Sequence, residues 1–292
     1  MMNTPHDSLE EFCKASLARE VPHDLHVMAN VLRQRHAGIV AILAYGSCLR
    51  GVAVTDTLMD FYVLTESLAN VSPNFLSRLG CAIAPPNVHY VETELGGQRL
   101  RAKYALLPLS LFAKWTARNI NNPYFWARFA QPSALLYARD EQARLRVATA
   151  ISAALRTCYA NAKGLATKTD PASVWTAGFG ETYRSELRSE RTNRAASIVA
   201  AEPGYYAQAA RLLEHEPALH ANRGLRRLAG KCWSVLRLCK AAFTFQGSAD
   251  YIVWKIERHS GEKIILSPWQ RRHPIFAGLM LLPAMLRKGA VR

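Results

Sequence analysis

Ala41-Ile42-Leu43-Ala44-Tyr45-Gly46-Ser47-Cys48-Leu49-Arg50-Gly51, followed shortly by Thr55-Asp56-Thr57-Leu58-Met59-Asp60-Phe61-Tyr62-Val63-Leu64, is the stretch that decides the fold. Its first half belongs to an apolar run, Gly38 to Tyr45, that is short, shows no helical period and stops at Gly46-Ser47. That pattern predicts a buried strand ending in a turn. Thr57 to Leu64 reads as a second strand. Working outward, Asn87 to Leu95 is a third, and Gly96-Gly97 turns the chain into a fourth, Arg99 to Leu106. Ser8 to Arg35 is predicted mostly helical, interrupted at Pro22, with Leu25, Met28, Val31 and Leu32 at helical spacing. Leu109 to Ile120 and Asp140 to Leu165 are further helices, and from Asp170 onward the chain is predominantly helical. The last long helix, about Arg223 to Phe243, carries Leu225, Leu228, Cys232, Val235, Leu236, Cys239 and Phe243 in one stripe, with basic residues on its other faces.

Composition excludes several classes. Half of the 292 residues are hydrophobic and 20% are charged, which excludes a disordered chain. Sixteen Gly and 14 Pro are ordinary counts and exclude a collagen-like one. The six cysteines form no CxxC pair and have no zinc-finger spacing, so free thiols in a reducing compartment are expected. The opening MMNTPHDSLEEF is polar and acidic, unlike a secretory signal. The longest apolar stretch, Ile275 to Leu286, is 12 residues long and contains Pro283. It falls short of the roughly 20 residues that span a bilayer. The charge is uneven: residues 221–292 hold 14 Lys and Arg against three acids, a net of +11 out of the whole chain's +15. Such a field draws in polyanions, either anionic lipid or nucleic acid.

The strand, Gly-Ser turn, and strand with aspartate together resemble the nucleotidyltransferase superfamily of the DNA polymerase beta type. In that superfamily a Gly-Ser turn opens a helix after the first strand and a second strand presents carboxylates to magnesium. The chemistry accounts for the residue types. A triphosphate needs backbone N–H donors, and glycine lets the backbone come close. A serine hydroxyl adds a donor, and magnesium takes carboxylate oxygen. The usual Asp-x-Asp pair is absent, since Leu58 stands two before Asp60, while Asp56 stands four before. Tyr45-Gly46-Ser47 and Leu58-Met59-Asp60-Phe61 are closer to one branch, the mitochondrial-type CDP-diacylglycerol synthases (phosphatidate cytidylyltransferases). His89-Tyr90-Val91 resembles that family's third strand. Arg101-Ala102-Lys103-Tyr104 resembles its Lys-Tyr-Gly segment, with Ala105 for the glycine. Trp115 and Trp126-Ala127-Arg128-Phe129-Ala130-Gln131-Pro132 resemble its tryptophan helix and Gly-Arg-Leu-x-Lys-Pro segment, with Ala127 for the glycine and Gln131 for the lysine. The likeness covers residues 38–140 in order and thins beyond 170, where Tyr183 to Arg188 corresponds to a helical-domain arginine segment.

The resemblance implies an α/β (α+β) fold: a nucleotidyltransferase core of about four to five strands followed by a mainly helical C-terminal region. The division expected is 1–140 for the nucleotidyltransferase domain, 141–220 for a helical domain, and 221–292 for a basic helical region in contact with a membrane surface. Tyr45, Gly46, Ser47 and Lys103 are then the nucleotide-binding residues. Asp60 is the magnesium ligand, with Asp56 as a second, and Glu92 is a further catalytic carboxylate, Glu94 sharing its face. Arg128, Arg184 and Arg188 are candidate phosphate contacts. The implied reaction joins CTP and phosphatidate into CDP-diacylglycerol and pyrophosphate, with magnesium as cofactor and an anionic membrane surface as partner. No DNA partner is expected. The location expected is cytoplasmic, peripheral at the inner face of a membrane. Two other classes stay open: a nucleotidyltransferase acting on RNA or a small metabolite, and a non-catalytic basic module binding lipid or nucleic acid.

Overall fold

The structure, a computed structural model, describes residues 5–49, 58–117, 122–185, 194–219, 223–260 and 265–272. Five strands form one mixed sheet: β1 (Ile39–Tyr45), β2 (Met59–Thr65), β3 (Asn87–Leu95), β4 (Gln98–Pro108) and β5 (Ser133–Ala138), in the order β3-β4-β2-β1-β5. β2 and β4 run parallel, and the other neighbours are antiparallel. The four strands expected from the sequence are present. The fifth is Ser-Ala-Leu-Leu-Tyr-Ala, which has no β-branched residue and so little strand signal of its own. β1 is buried along its whole length, and in β2 only Asp60 is not fully buried. Both faces of the central strands are therefore covered, which is why they read as continuous apolar runs.

The helices are α1 (Pro5–Leu17), α2 (His23–Arg35), α3 (Phe75–Ile83), α4 (Leu109–Thr116), α5 (Trp126–Phe129), α6 (Glu141–Lys163), α7 (Pro171–Ser185), α8 (Arg194–Ala201), α9 (Pro203–Leu212), α10 (Arg223–Thr244), α11 (Ser248–Ser260) and α12 (Pro268–Arg272). The chain is thus a mixed sheet with a helical C-terminal region. Asp140 caps α6 by accepting from the Ala143 N–H at 2.7 Å. One continuous buried cluster runs from Leu9 on α1 through the sheet to Leu213. Tyr62 of β2 meets Phe129 edge-on with ring centroids 4.7 Å apart, and Phe112 and Phe125 close the same cluster. These rings fix α4 and α5 over the face of β2 that also carries Asp60. Among the described residues no helix is long and apolar enough to cross a membrane.

α10 sits in an unexpected orientation. Its cationic face turns inward. Arg227 makes a two-pronged bond to the buried Glu181 of α7, at 2.7 and 2.8 Å. One turn on, a Cβ at Gly230 would strike the Ser185 carbonyl, so only glycine lets the two backbones approach. Trp233 meets Trp115 edge-on, Arg237 lies 3.8 Å from the Tyr124 ring centroid, and Lys240 Nζ donates to the Ala84 and Pro86 carbonyls at 2.6 Å each. The apolar stripe that helical periodicity would assign to the core instead faces outward, as the exposure of Leu225, Leu228, Val235, Leu236 and Phe243 records. The reason is local. Carboxylate, carbonyl and aromatic partners for the cations all lie on the protein side.

The turn between α10 and α11 covers the β3 edge. The Tyr90 N–H donates to the Gln246 carbonyl at 2.9 Å, and the Gln246 N–H approaches His89 Nδ1 at 3.3 Å. Burial, with His36 adding, lowers the His89 pKa from 6.5 to about 3. His36, whose Nε2 lies 2.9 Å from the Tyr104 hydroxyl, is also lowered by burial. Below about pH 6.5 the buried His89 ring stays neutral in the fold and takes up a proton on unfolding, and His36 acts in the same direction. A folded pKa below the unfolded value for a base means stability is complete above about pH 6.5 and is lost as pH falls below it. For His89 the loss is at most about 1.4 kcal/mol per pH unit. Urea unfolding between pH 7 and 4 should show this slope, shallower in His89→Gln. Equal slopes in the two proteins would remove His89 as the cause.

Candidate active site

Strand register places five side chains in one row on one face of the sheet. Tyr90 pairs with Lys103, Lys103 with Asp60, Asp60 with Tyr45, and Tyr45 with Ser133. The row lies at the end of β1 and the start of β2, beside the glycine turn. Gly46 has φ of 90°, a left-handed conformation that side chains rarely adopt. A Cβ there would lie 3.3 Å from Asp60 Oδ2, so the turn and the carboxylate are in close approach. Ser47–Leu49 then forms one 3-10 turn, closed by the Leu49 N–H on the Gly46 carbonyl at 3.3 Å, while the Cys48 thiol donates to the Tyr45 carbonyl at 3.2 Å.

The electrostatics centre on Asp60. Its Oδ1 is buried, accepts no hydrogen bond, and lies 3.4 Å from Lys103 Nζ. The Asp60 carboxylate raises the Lys103 pKa against the opposing effect of burial, so the ammonium is charged throughout the neutral range. Burial, with Asp60 adding and Arg128 opposing, pushes the Tyr45 phenol up to about 12. Arg128 Nη1 donates to the Tyr45 hydroxyl at 2.9 Å, and its guanidinium stands over both the Tyr45 and Tyr124 rings, 5.2 and 4.7 Å from their centroids. Arg237 covers Tyr124 at 3.8 Å. The result is one carboxylate beside a positive-φ turn, bordered by Lys103 and Arg128, with Arg237 beyond on the Tyr124 ring.

The expected site residues divide accordingly. The structure brings Tyr45, Gly46, Asp60, Lys103 and Arg128 together, with Ser47 next in the turn. Glu92 lies one strand beyond Lys103. β4 separates it from Asp60's strand, a lateral distance of about 10 Å between β3 and β2. Its carboxylate accepts from the Tyr90 hydroxyl at 2.6 Å and from Arg101 at 3.2 Å, with Arg99 at 3.7 Å. Glu94 is exposed near the hairpin turn. Arg184 is exposed on α7 and pairs with Glu181 at 3.6 Å, away from the row. Asp56 and Arg188 lie outside the described residues. Arg237 and Tyr124 were missed by the sequence reading. Arg237 belongs to a basic helix more than a hundred residues from the turn, and nothing local announces that it folds back over Tyr124.

Among the described residues no group of three or more His, Cys, Asp or Glu side chains could hold a metal ion by itself. A magnesium delivered on a triphosphate needs less, since one carboxylate and the phosphates satisfy it along with water. Asp60, with its buried Oδ1 accepting no hydrogen bond, fits that role. No protein-family model matches the chain, and no curated protein matches it significantly.

Proposed function

We propose that the protein is a magnesium-dependent nucleotidyltransferase, and within that class a CTP:phosphatidate cytidylyltransferase that makes CDP-diacylglycerol and pyrophosphate. The observation that carries the class is the seating of the Gly46 turn against Asp60, 3.3 Å from where a Cβ would stand, with Lys103 paired to the same carboxylate. Glycine gives a triphosphate access to the backbone, Ser47 donates from its hydroxyl, and Lys103 supplies positive charge. Asp60 would hold magnesium, which neutralises charge on the α-phosphate as it is attacked. The choice of CTP and phosphatidate rests on the resemblance across residues 38–140. A phosphomonoester acceptor is already an anionic nucleophile at neutral pH, so no strong general base is required. That suits a site in which Glu92, one of the other carboxylates expected there, is held by Tyr90 and Arg101. Arg128 borders the cluster as a cation for the acceptor phosphate, and Arg237 adds charge from the other side of the Tyr124 contact. Phosphatidate lies in a bilayer, so the enzyme works peripherally on an anionic membrane.

A second reading, a non-catalytic module on the same scaffold, is favoured by the Asp60–Lys103 pair itself, because the ammonium neutralises the carboxylate that magnesium needs. One experiment separates the two. Each of the four nucleoside triphosphates is incubated with phosphatidate vesicles and magnesium, and pyrophosphate release is followed. Release with CTP alone, dependent on phosphatidate, is the expected result. Release with another nucleotide or acceptor moves the protein to a different nucleotidyltransferase. No release, with no magnesium-dependent nucleotide binding by calorimetry, leaves the non-catalytic module.

A further inference from the structure

α10 reaches the candidate active site through one ring. Arg237 lies 3.8 Å from the Tyr124 centroid, the shortest cation–ring contact among the described residues. Tyr124 also carries the Arg128 guanidinium, at 4.7 Å, and Arg128 donates to the Tyr45 hydroxyl, next to Asp60 in the strand row. A series of contacts therefore runs from Arg237 through Tyr124, Arg128 and Tyr45 to the carboxylate. Arg128 needs such support. Its helix, α5, is four residues long, too short to order a side chain by itself. Its charge is opposed by that of Lys103, whose pKa it lowers. α10 is seated independently, by Arg227 on Glu181, Trp233 on Trp115, and Lys240 on the Ala84 and Pro86 carbonyls. With those anchors in place, what Arg237 adds is its contact with Tyr124.

We propose that Arg237 is a positioning residue: packed on Tyr124, it holds that ring against the Arg128 guanidinium and so keeps Arg128 on Tyr45, ready for the acceptor phosphate. Arginine is long and flexible, and a phosphate that must order it on binding loses part of the energy of the contact. Holding the guanidinium beforehand raises affinity without a new contact to the substrate. The effect is selective. It falls on the acceptor, which Arg128 meets, and spares the nucleotide, which meets the Gly46 turn and Lys103. The proposal rests on the nucleotidyltransferase reading for what Arg128 binds. It deepens that reading by giving α10 a part in the site beyond the charge that Arg237 contributes.

The test has two arms on the full-length protein, with circular dichroism confirming that each variant is folded. The first needs no turnover. NMR relaxation at Arg128 Nε, assigned by its absence in Arg128→Met, should show a side chain as ordered as the backbone in wild type and a loosened one in Arg237→Met. The second follows pyrophosphate release with CTP and a soluble short-chain phosphatidate. Arg237→Met should raise the KM for phosphatidate at least fivefold and leave the KM for CTP within twofold of wild type. Tyr124→Leu, which keeps both cations and removes the ring between them, should do the same. In an Arg128→Met background, Arg237→Met should add less than twofold, because its route to the substrate is already cut. An Arg128 side chain as ordered in Arg237→Met as in wild type would overturn the proposal. So would single effects that multiply in the double variant, which would put Arg237 on the phosphate itself. Absence of pyrophosphate release in wild type would sink the cytidylyltransferase reading, and the relaxation arm would still decide whether Arg237 holds Arg128.

Discussion

Asp60→Asn is expected to abolish pyrophosphate release, by at least about 100-fold, while the protein stays folded. The substitution keeps the shape of the side chain and removes its charge. A neutral amide cannot hold magnesium on the triphosphate, so the charge that develops in the transition state loses its partner. The fold should tolerate the change for a reason visible in the geometry. The Asp60–Lys103 pair spans 3.4 Å, and its side chains are 23% and 33% exposed, so water screens it and reaches the lysine once the carboxylate is gone. Pairs of that kind contribute about 0–1 kcal/mol. Lys103 should respond measurably. Its pKa is raised chiefly by Asp60 and should fall in the variant, because burial, which lowers it, is then the largest influence left on it. Three readouts therefore belong together: pyrophosphate release, the thermal midpoint, and the titration of Lys103 by NMR. Near-wild-type release in a folded Asp60→Asn protein would remove Asp60 from the reaction. Lost release with an unfolded protein would instead make Asp60 a structural residue.

The parts of this molecule that were legible in the sequence share a physical cause. β1 is buried on both faces and apolar along its whole length, and a continuous short apolar run ending at glycine has few other readings; β2 is apolar apart from Asp60 and the terminal Thr65. β3 and β4 were legible through the Gly96-Gly97 turn, whose glycines both take positive φ. The juxtaposition of Gly46 and Asp60 was legible because both are fixed by those same strands. What was not legible depends on contacts that are distant in sequence. Whether the stripe on α10 faces in or out is decided by Glu181, Tyr124 and the carbonyls of Ala84 and Pro86, none of which is near it in the chain. Hydrophobic periodicity reports that a helix has two faces. The partners decide which face is inward, and here the cations have the better ones. Glu92 illustrates the same limit. Its strand and face were read from the sequence, but its bonds to Tyr90 and Arg101 depend on the β3–β4 register.

Gly46→Val should remove nucleotide binding and lower stability together, and the two effects have separate causes. The first is conformational. At φ of 90° a β-branched residue is strained by about 1–3 kcal/mol, which appears as a lower thermal midpoint. The second is positional. A Cβ at Gly46 stands 3.3 Å from Asp60 Oδ2, and the methyls of valine extend further, so the carboxylate must move away from the turn. Binding that relies on both the turn and the carboxylate then loses both. A control isolates the strain. Gly96 also has positive φ, at 56°, but a Cβ there meets nothing within 4 Å. Gly96→Val should thus lower the midpoint and leave CTP affinity unchanged. Ser47→Ala probes the complementary case: it leaves the backbone path intact and removes one hydroxyl donor. It should weaken CTP binding by about 1–3 kcal/mol with little change in stability. Calorimetry on the three variants gives an ordered expectation. Affinity is lost in Gly46→Val, reduced in Ser47→Ala and retained in Gly96→Val, while the thermal midpoint falls in both glycine variants and holds in Ser47→Ala. Wild-type CTP affinity in Gly46→Val would take the turn out of the site, because neither the close backbone approach nor the position of Asp60 could then matter to the nucleotide.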